Sequence, residues 1–202
     1  MKTKVEVARM KNIIRMAWDF TGMQRVFQKK SGPIVWNLLK KLLDKIELDP
    51  YNFSHEKLCR QIQRSIQTTR KGTRKEREPS YGQAAKVVDV AMKVLVGYCR
   101  LPDKRTARLI APRLHAGIDN KILKNHLKVK GIASLREINK ARYEKLQSRL
   151  SKEAKDKGCS PIEYDDWLWR KSNVGRPSRM GKKTRPMARK TCLMIKDERR
   201  RG

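Results

Sequence analysis

Arg108 and His115, with six residues between them, pair a side chain that holds phosphate with one that moves a proton near neutral pH. Together they could cleave a phosphodiester without a metal, Arg108 neutralising the phosphate and His115 acting as general acid and base. Pro112 falls between them and the apolar Leu109 follows the arginine. The alternative expectation is that His115 stabilises a turn, His115-Ala-Gly-Ile-Asp119, in which Asp119 caps the short helix NKILKNHL. Glu163, Asp165 and Asp166 are the densest acidic group, and carboxylates are what a metal-dependent nuclease would use. All three fall in the first turns of a helix, where they complete a cap and complement the macrodipole, and no further acidic motif supports two-metal chemistry. Cys59, Cys99, Cys159 and Cys192 form no C-x-x-C pair, and His55, His115 and His126 are not at spacings that complete a zinc site. The expectation is therefore no metal, no cofactor and reduced thiols, with Cys59 and Cys99 packed on helices as small hydrophobes. There is no Gly-rich phosphate loop and no nucleophile elbow.

The stronger chemical signal is charge. In 202 residues, 51 Lys and Arg stand against 20 Asp and Glu, a formal net charge of +31. That excess implies a polyanionic partner, RNA or DNA, because Lys and Arg neutralise phosphates and release condensed counterions without reading sequence. Two stretches concentrate it. Thr68 to Pro79, TTRKGTRKEREP, has no apolar residue and five basic positions in twelve, Arg70, Lys71, Arg74, Lys75 and Arg77. Residues 171 to 202 hold twelve Lys or Arg against two acids, including Arg176, Arg179, Lys182, Lys183, Arg185, Arg189, Lys190, Arg199, Arg200 and Arg201. The first reads as a basic loop and the second as a disordered basic tail from 172 onward. Arg136 and Lys140, on a helix with a mostly charged surface, are added to the candidate phosphate contacts. Tyr81, Trp167 and Trp169 are the candidates for base stacking, while Trp36 and Tyr98 sit on apolar stripes. No run approaches the ~20 apolar residues of a membrane span, and the N-terminus lacks the apolar core of a signal peptide, so no membrane partner is expected and the location reads as cytoplasmic or nucleoid-associated.

The elements that would position these residues are helical. The first segment, to about residue 30, places Val5, Ala8, Ile13, Ala17 and Phe20 near one stripe, with a break at Thr21-Gly22. Ser31-Gly32-Pro33 starts a helix with Ile34, Leu38, Leu42 and Ile46 inward, and Ser54 caps another with Leu58, Ile62 and Ile66 every fourth position. The central helix opens at Ser80, where Ser80 and Gln83 make a capping box and Ala84, Val87, Val88, Ala91, Val94, Leu95 and Tyr98 recur at helical spacing. Ser134 and Glu137 predict a long helix through residue 157 with a thin stripe of Leu135, Ile138, Arg142, Leu146 and Leu150, ended by Gly158. Ser160-Pro161 and Glu163 start the last helix. The sum is an all-α multi-helix bundle over residues 1–171, with the basic loop 68–79 inserted and little sheet.

GQAAK (Gly82 to Lys86), HAGID (His115 to Asp119), ASLREINKARYEKLQ and the closing SPIEYDDWLW resemble, in order and type, a set of uncharacterised prokaryotic and phage helical proteins. The resemblance covers about residues 81–169 and implies a shared fold without naming an activity. Three functions are carried forward. The first is sequence-independent binding of nucleic acid, as a subunit of a nucleoprotein complex with other protein subunits. The second is a ribonuclease similar to the HEPN type, which brings an Arg and a His at the spacing of Arg108 and His115 together at a helical interface. The third is a basic inhibitor or adaptor that binds an acidic protein surface.

Overall fold

The computed structural model describes residues 3–69 and 76–173, with backbone only at 69, 76, 172 and 173. The loop residues Arg70, Lys71, Arg74 and Lys75 and the tail lie outside the described residues. The chain is all-α: α1 (Lys4–Phe20), α2 (Ser31–Leu48), α3 (His55–Ser65), α4 (Tyr81–Met92), α5 (Lys104–Ile110), α6 (Lys140–Asp156) and α7 (Pro161–Asn173) account for most of it. The expected loop 68–79 stands on a minimal antiparallel ladder, β1 (Thr68–Thr69) on β2 (Glu76–Arg77), with Thr68 paired to Arg77.

α4 is the centre. Of its twelve residues only Lys86 and Val90 are not buried, and it packs against α1, α3 and α6. A helix apolar on nearly every side has to be surrounded, and the other helices supply that layer. Its start is fixed by the expected capping box, with Ser80 Oγ accepting from the Gln83 amide and the Gln83 side chain accepting from the Ser80 amide. Its end runs on as a π-helical turn, Lys93–Tyr98, that buries Val94, Leu95 and Val96. Tyr98 turns out to solvent instead of continuing the apolar stripe, and donates to Asp166.

Several helix faces differ from their expected stripes. α1 buries Met10, Ile14, Ala17 and Trp18, and leaves Val5 and Phe20 exposed, because Trp18 stacks on Phe27 beyond the turn at Gly22. α2 buries Val35, Leu39, Leu42, Leu43 and Ile46, leaving Ile34 exposed. Two neighbouring columns of that helix are apolar, and spacing alone does not choose between them. α6 begins at Lys140 with Asn139 as N-cap, five residues later than the expected start at Leu135, because Leu135–Glu137 is a single 3-10 turn and Ile138 is extended. That break lets Ile138 enter the core and its carbonyl accept from the Gly82 amide, while Ser80 Oγ donates to the carbonyl of Leu135. The buried face of α6 is Tyr143, Leu146, Gln147, Leu150 and Ala154; Arg142 is exposed.

The contact between α4 and the 135–138 turn is close enough to require glycine. A Cβ on Gly82 would stand 2.6 Å from both the Cβ of Ile138 and the carbonyl oxygen of Leu135. Gly82→Ala is therefore expected to lower the unfolding free energy by about 1–3 kcal/mol, the usual range for overpacking. Urea denaturation at constant m-value measures it, and an unchanged midpoint would show that the turn yields freely.

Candidate functional site

Asp89 lies on the inner face of α4 and is 2 % exposed, so its carboxylate must find donors inside the protein. They come from two other elements. His55, the first residue of α3, places Nε2 2.8 Å from Asp89 Oδ1. Tyr143 of α6 directs its hydroxyl to both Asp89 oxygens, at 2.8 and 2.9 Å. The same hydroxyl is 2.9 Å from His115 Nδ1 and 3.1 Å from the side-chain nitrogen of Gln147, one turn further along α6. One assignment of protons satisfies all of these: Tyr143 donates to Asp89 and accepts from Gln147 and His115, while His55 donates from Nε2.

The surroundings reinforce the arrangement. The His55 and His115 rings are 4.3 Å apart and tilted by 43°, and the His55 ring is stacked parallel to that of Tyr143. The buried Cys59 places its sulfur 3.6 Å from His55 Nδ1, one helical turn on. Burial pushes the Tyr143 phenol and the Cys59 thiol well above their ordinary values, with the neighbouring Asp89 adding to the effect in both, so neither ionises near neutral pH. Burial also lowers the pKa of His115, partly offset by Asp89.

The turn that carries His115 is clasped by Gln147. Its side-chain nitrogen donates to the carbonyl of Ala116 at 2.6 Å and its oxygen accepts from the Ala116 amide at 3.2 Å. Asp119 then caps the following helix as expected, accepting from the amides of Lys121 and Ile122 at 2.8 Å each. Asp165 of α7 also accepts from the Gly117 amide in this turn. Lys86 is half-buried nearby, its pKa lowered by burial against the opposing influence of Asp119 and Asp165.

The sequence candidates are placed differently. Arg108 is exposed on α5 and no hydrogen bond or ion pair joins it to His115, whose Nδ1 faces Tyr143. Glu163 completes the expected cap with Ser160. Asp165 and Asp166 do more than complement a dipole: both reach Lys93, at 2.5 and 3.1 Å. Burial opposes charge on Lys93, but the two carboxylates outweigh it and hold the lysine protonated. Tyr81 is buried against the edge of the Tyr143 ring and so is withdrawn from base stacking. Trp167 and Trp169 are both about half exposed, Trp167 lying beneath Lys157 and Lys171.

Arg136 and Lys140 border an open cleft of about 450 Å³, together with Arg60 of α3, Ser80, Tyr81 and Asn139. Glu56 bridges two of its cations, standing 2.8 Å from Lys140 and 3.8 Å from Arg60, while Arg136 has no ion-pair partner among the described residues. Arg77 is exposed on the ladder that carries the basic loop. His55, Asp89, Tyr143 and Gln147 were missed as a group. The available signal was a carboxylate in the apolar run Val87-Val88-Asp89-Val90-Ala91. Comparison with protein-family models, curated proteins and solved structures finds no match.

Removing the Gln147 clasp tests how the turn is held. Gln147→Ala strands a fully buried backbone N–H and C=O at Ala116. The expected loss is about 2–6 kcal/mol, each of the two buried groups left without a partner costing ~1–3 kcal/mol. Chemical denaturation of the variant reads it, and a loss under about 0.5 kcal/mol would mean that the turn is held without the clasp.

Proposed function

We propose that the chain binds nucleic acid through the phosphate backbone, without reading sequence. The observation that carries this reading is the +31 net charge, far above what solubility requires. The cleft bordered by Arg60, Arg136, Glu137 and Lys140 supports the reading as a surface that a phosphate could enter. The helix starts at Ser80 and Asn139 border the same cleft. A phosphate entering there meets Arg136 directly and competes with Glu56 for Arg60 and Lys140. The basic residues of 70–75 and of 176–201, which lie outside the described residues, add further counterion release. Binding of this kind fits a subunit of a nucleoprotein complex, in which the helices set the geometry and the basic segments add affinity.

The test is a salt titration of affinity for a labelled 30-mer duplex by fluorescence anisotropy. Log affinity is expected to fall linearly with log salt, with a slope of about −0.9 for each phosphate neutralised. The triple variant Arg60→Gln, Arg136→Gln, Lys140→Gln is expected to flatten that slope by about 2–3 and to weaken binding to all sequences alike. An affinity indifferent to salt contradicts the reading, and tight binding of an acidic protein with no affinity for nucleic acid would replace it. A triple variant that binds with the slope of the unsubstituted chain removes the cleft from the interface.

A further inference from the structure

The His55, Asp89 and His115 side chains converge on one point in the core. One ligand atom of each, two imidazole nitrogens and a carboxylate oxygen, lies within 4.8 Å of the others. They come from α3, from α4 and from the turn before Asp119, so the fold and not local spacing assembles them. We propose that these three side chains bind one divalent first-row transition-metal ion, with zinc(II) as the reference ion. Two imidazoles and a carboxylate suit such ions better than calcium or magnesium, which prefer oxygen throughout.

The distances have to adjust to an ion. Ligand atoms around a tetrahedral zinc stand roughly 3–3.6 Å apart, following from bonds of about 2.0–2.2 Å. His55 Nε2 and Asp89 Oδ1, 2.8 Å apart, have to open slightly, and ligand atoms now up to 4.8 Å apart have to close, for all three to reach one ion. The Tyr143 hydroxyl is 2.8 to 3.2 Å from Asp89 Oδ1, His115 Nδ1 and His55 Nε2 and adjoins the same centre. It keeps its proton and donates it to the second carboxylate oxygen, Oδ2, at 2.9 Å. That leaves Oδ1 for the ion. Gln147 holds the hydroxyl in turn, so the second shell that orients the ligands is in place.

Binding exchanges hydrogen bonds for coordination. Each neutral imidazole carries its single proton on the nitrogen facing away from the ion, which for His55 is Nδ1, beside the Cys59 sulfur. No proton need leave the protein. Asp89 and Tyr143 are buried and the His55 side chain is 10 % exposed, so entry runs past the two histidines. So enclosed a site leaves little room for substrate, and the ion's role is to fasten α3, α4 and the 114–119 turn to one another.

The experiment uses the full chain, stripped with a chelator and titrated with zinc(II) by calorimetry, with melting followed in parallel. One ion per chain and a melting temperature raised by several degrees at saturation are expected. Extended X-ray absorption of the loaded protein should show two imidazoles and oxygen in the shell, with no sulfur. His55→Gln and His115→Gln should each weaken binding by at least about tenfold, with 1.4 kcal/mol of lost coordination sufficient for that factor. If either variant does not fold, the unsubstituted chain's stoichiometry and absorption spectrum decide. No stoichiometric uptake, a sulfur ligand, or variants that bind as tightly as the unsubstituted chain would overturn the proposal.

Discussion

A carboxylate placed in the middle of the most buried helix constrains everything around it. Asp89 is 2 % exposed, and an ionised group removed from water has to be met by donors at short range or it destabilises the fold. His55 and Tyr143 meet it, which fixes the N-terminus of α3 and the second turn of α6 against α4. Tyr143 then leaves its hydroxyl oxygen to be satisfied, and His115 and Gln147 do so. Gln147 in turn serves the backbone of Ala116. One buried charge thus propagates through four segments distant in sequence, each needing the previous one in place. A polar network of this kind adds specificity of arrangement more readily than net stability, because the desolvation of its members offsets much of the attraction.

The helices and most of their ends were legible in the sequence because they depend on local chemistry. Ser80 with Gln83, Ser54, Asp119 and Ser160 with Glu163 all cap as their spacing predicts, and Gly158 takes the left-handed conformation expected after a helix. Which face is buried was legible only where a single column is apolar, as at Leu58, Ile62 and Ile66. It was not legible in α2, where two columns compete. The capping signature at Ser134 and Glu137 predicts a helix start, and the hydrogen bond from Gly82 to Ile138 overrides it with an extended residue. The polar cluster was illegible for a deeper reason: its members are joined only by tertiary contact, His55 and Asp89 being 34 residues apart. Within the chain His115 takes Tyr143 as its hydrogen-bond partner, a contact that its spacing from Arg108 does not show.

Charge and cluster divide the molecule's chemistry. Among the described residues most cationic side chains lie on the outside, Lys86 and Lys93 excepted, and the cleft of Arg60, Arg136 and Lys140 opens beside the start of α4. Tyr81 lines the cleft and stands edge-on to the Tyr143 ring of the buried cluster.

The dependence of the whole arrangement on the Asp89 contact is most directly tested by a double-mutant cycle between Asp89→Asn and Tyr143→Phe. Stability is measured by urea unfolding of the two single variants, the double variant and the unsubstituted chain. Because the two side chains share one hydrogen-bonded network, the account predicts a coupling energy of about 1–3 kcal/mol. Additivity within about 0.5 kcal/mol, the behaviour of independent sites, would contradict it.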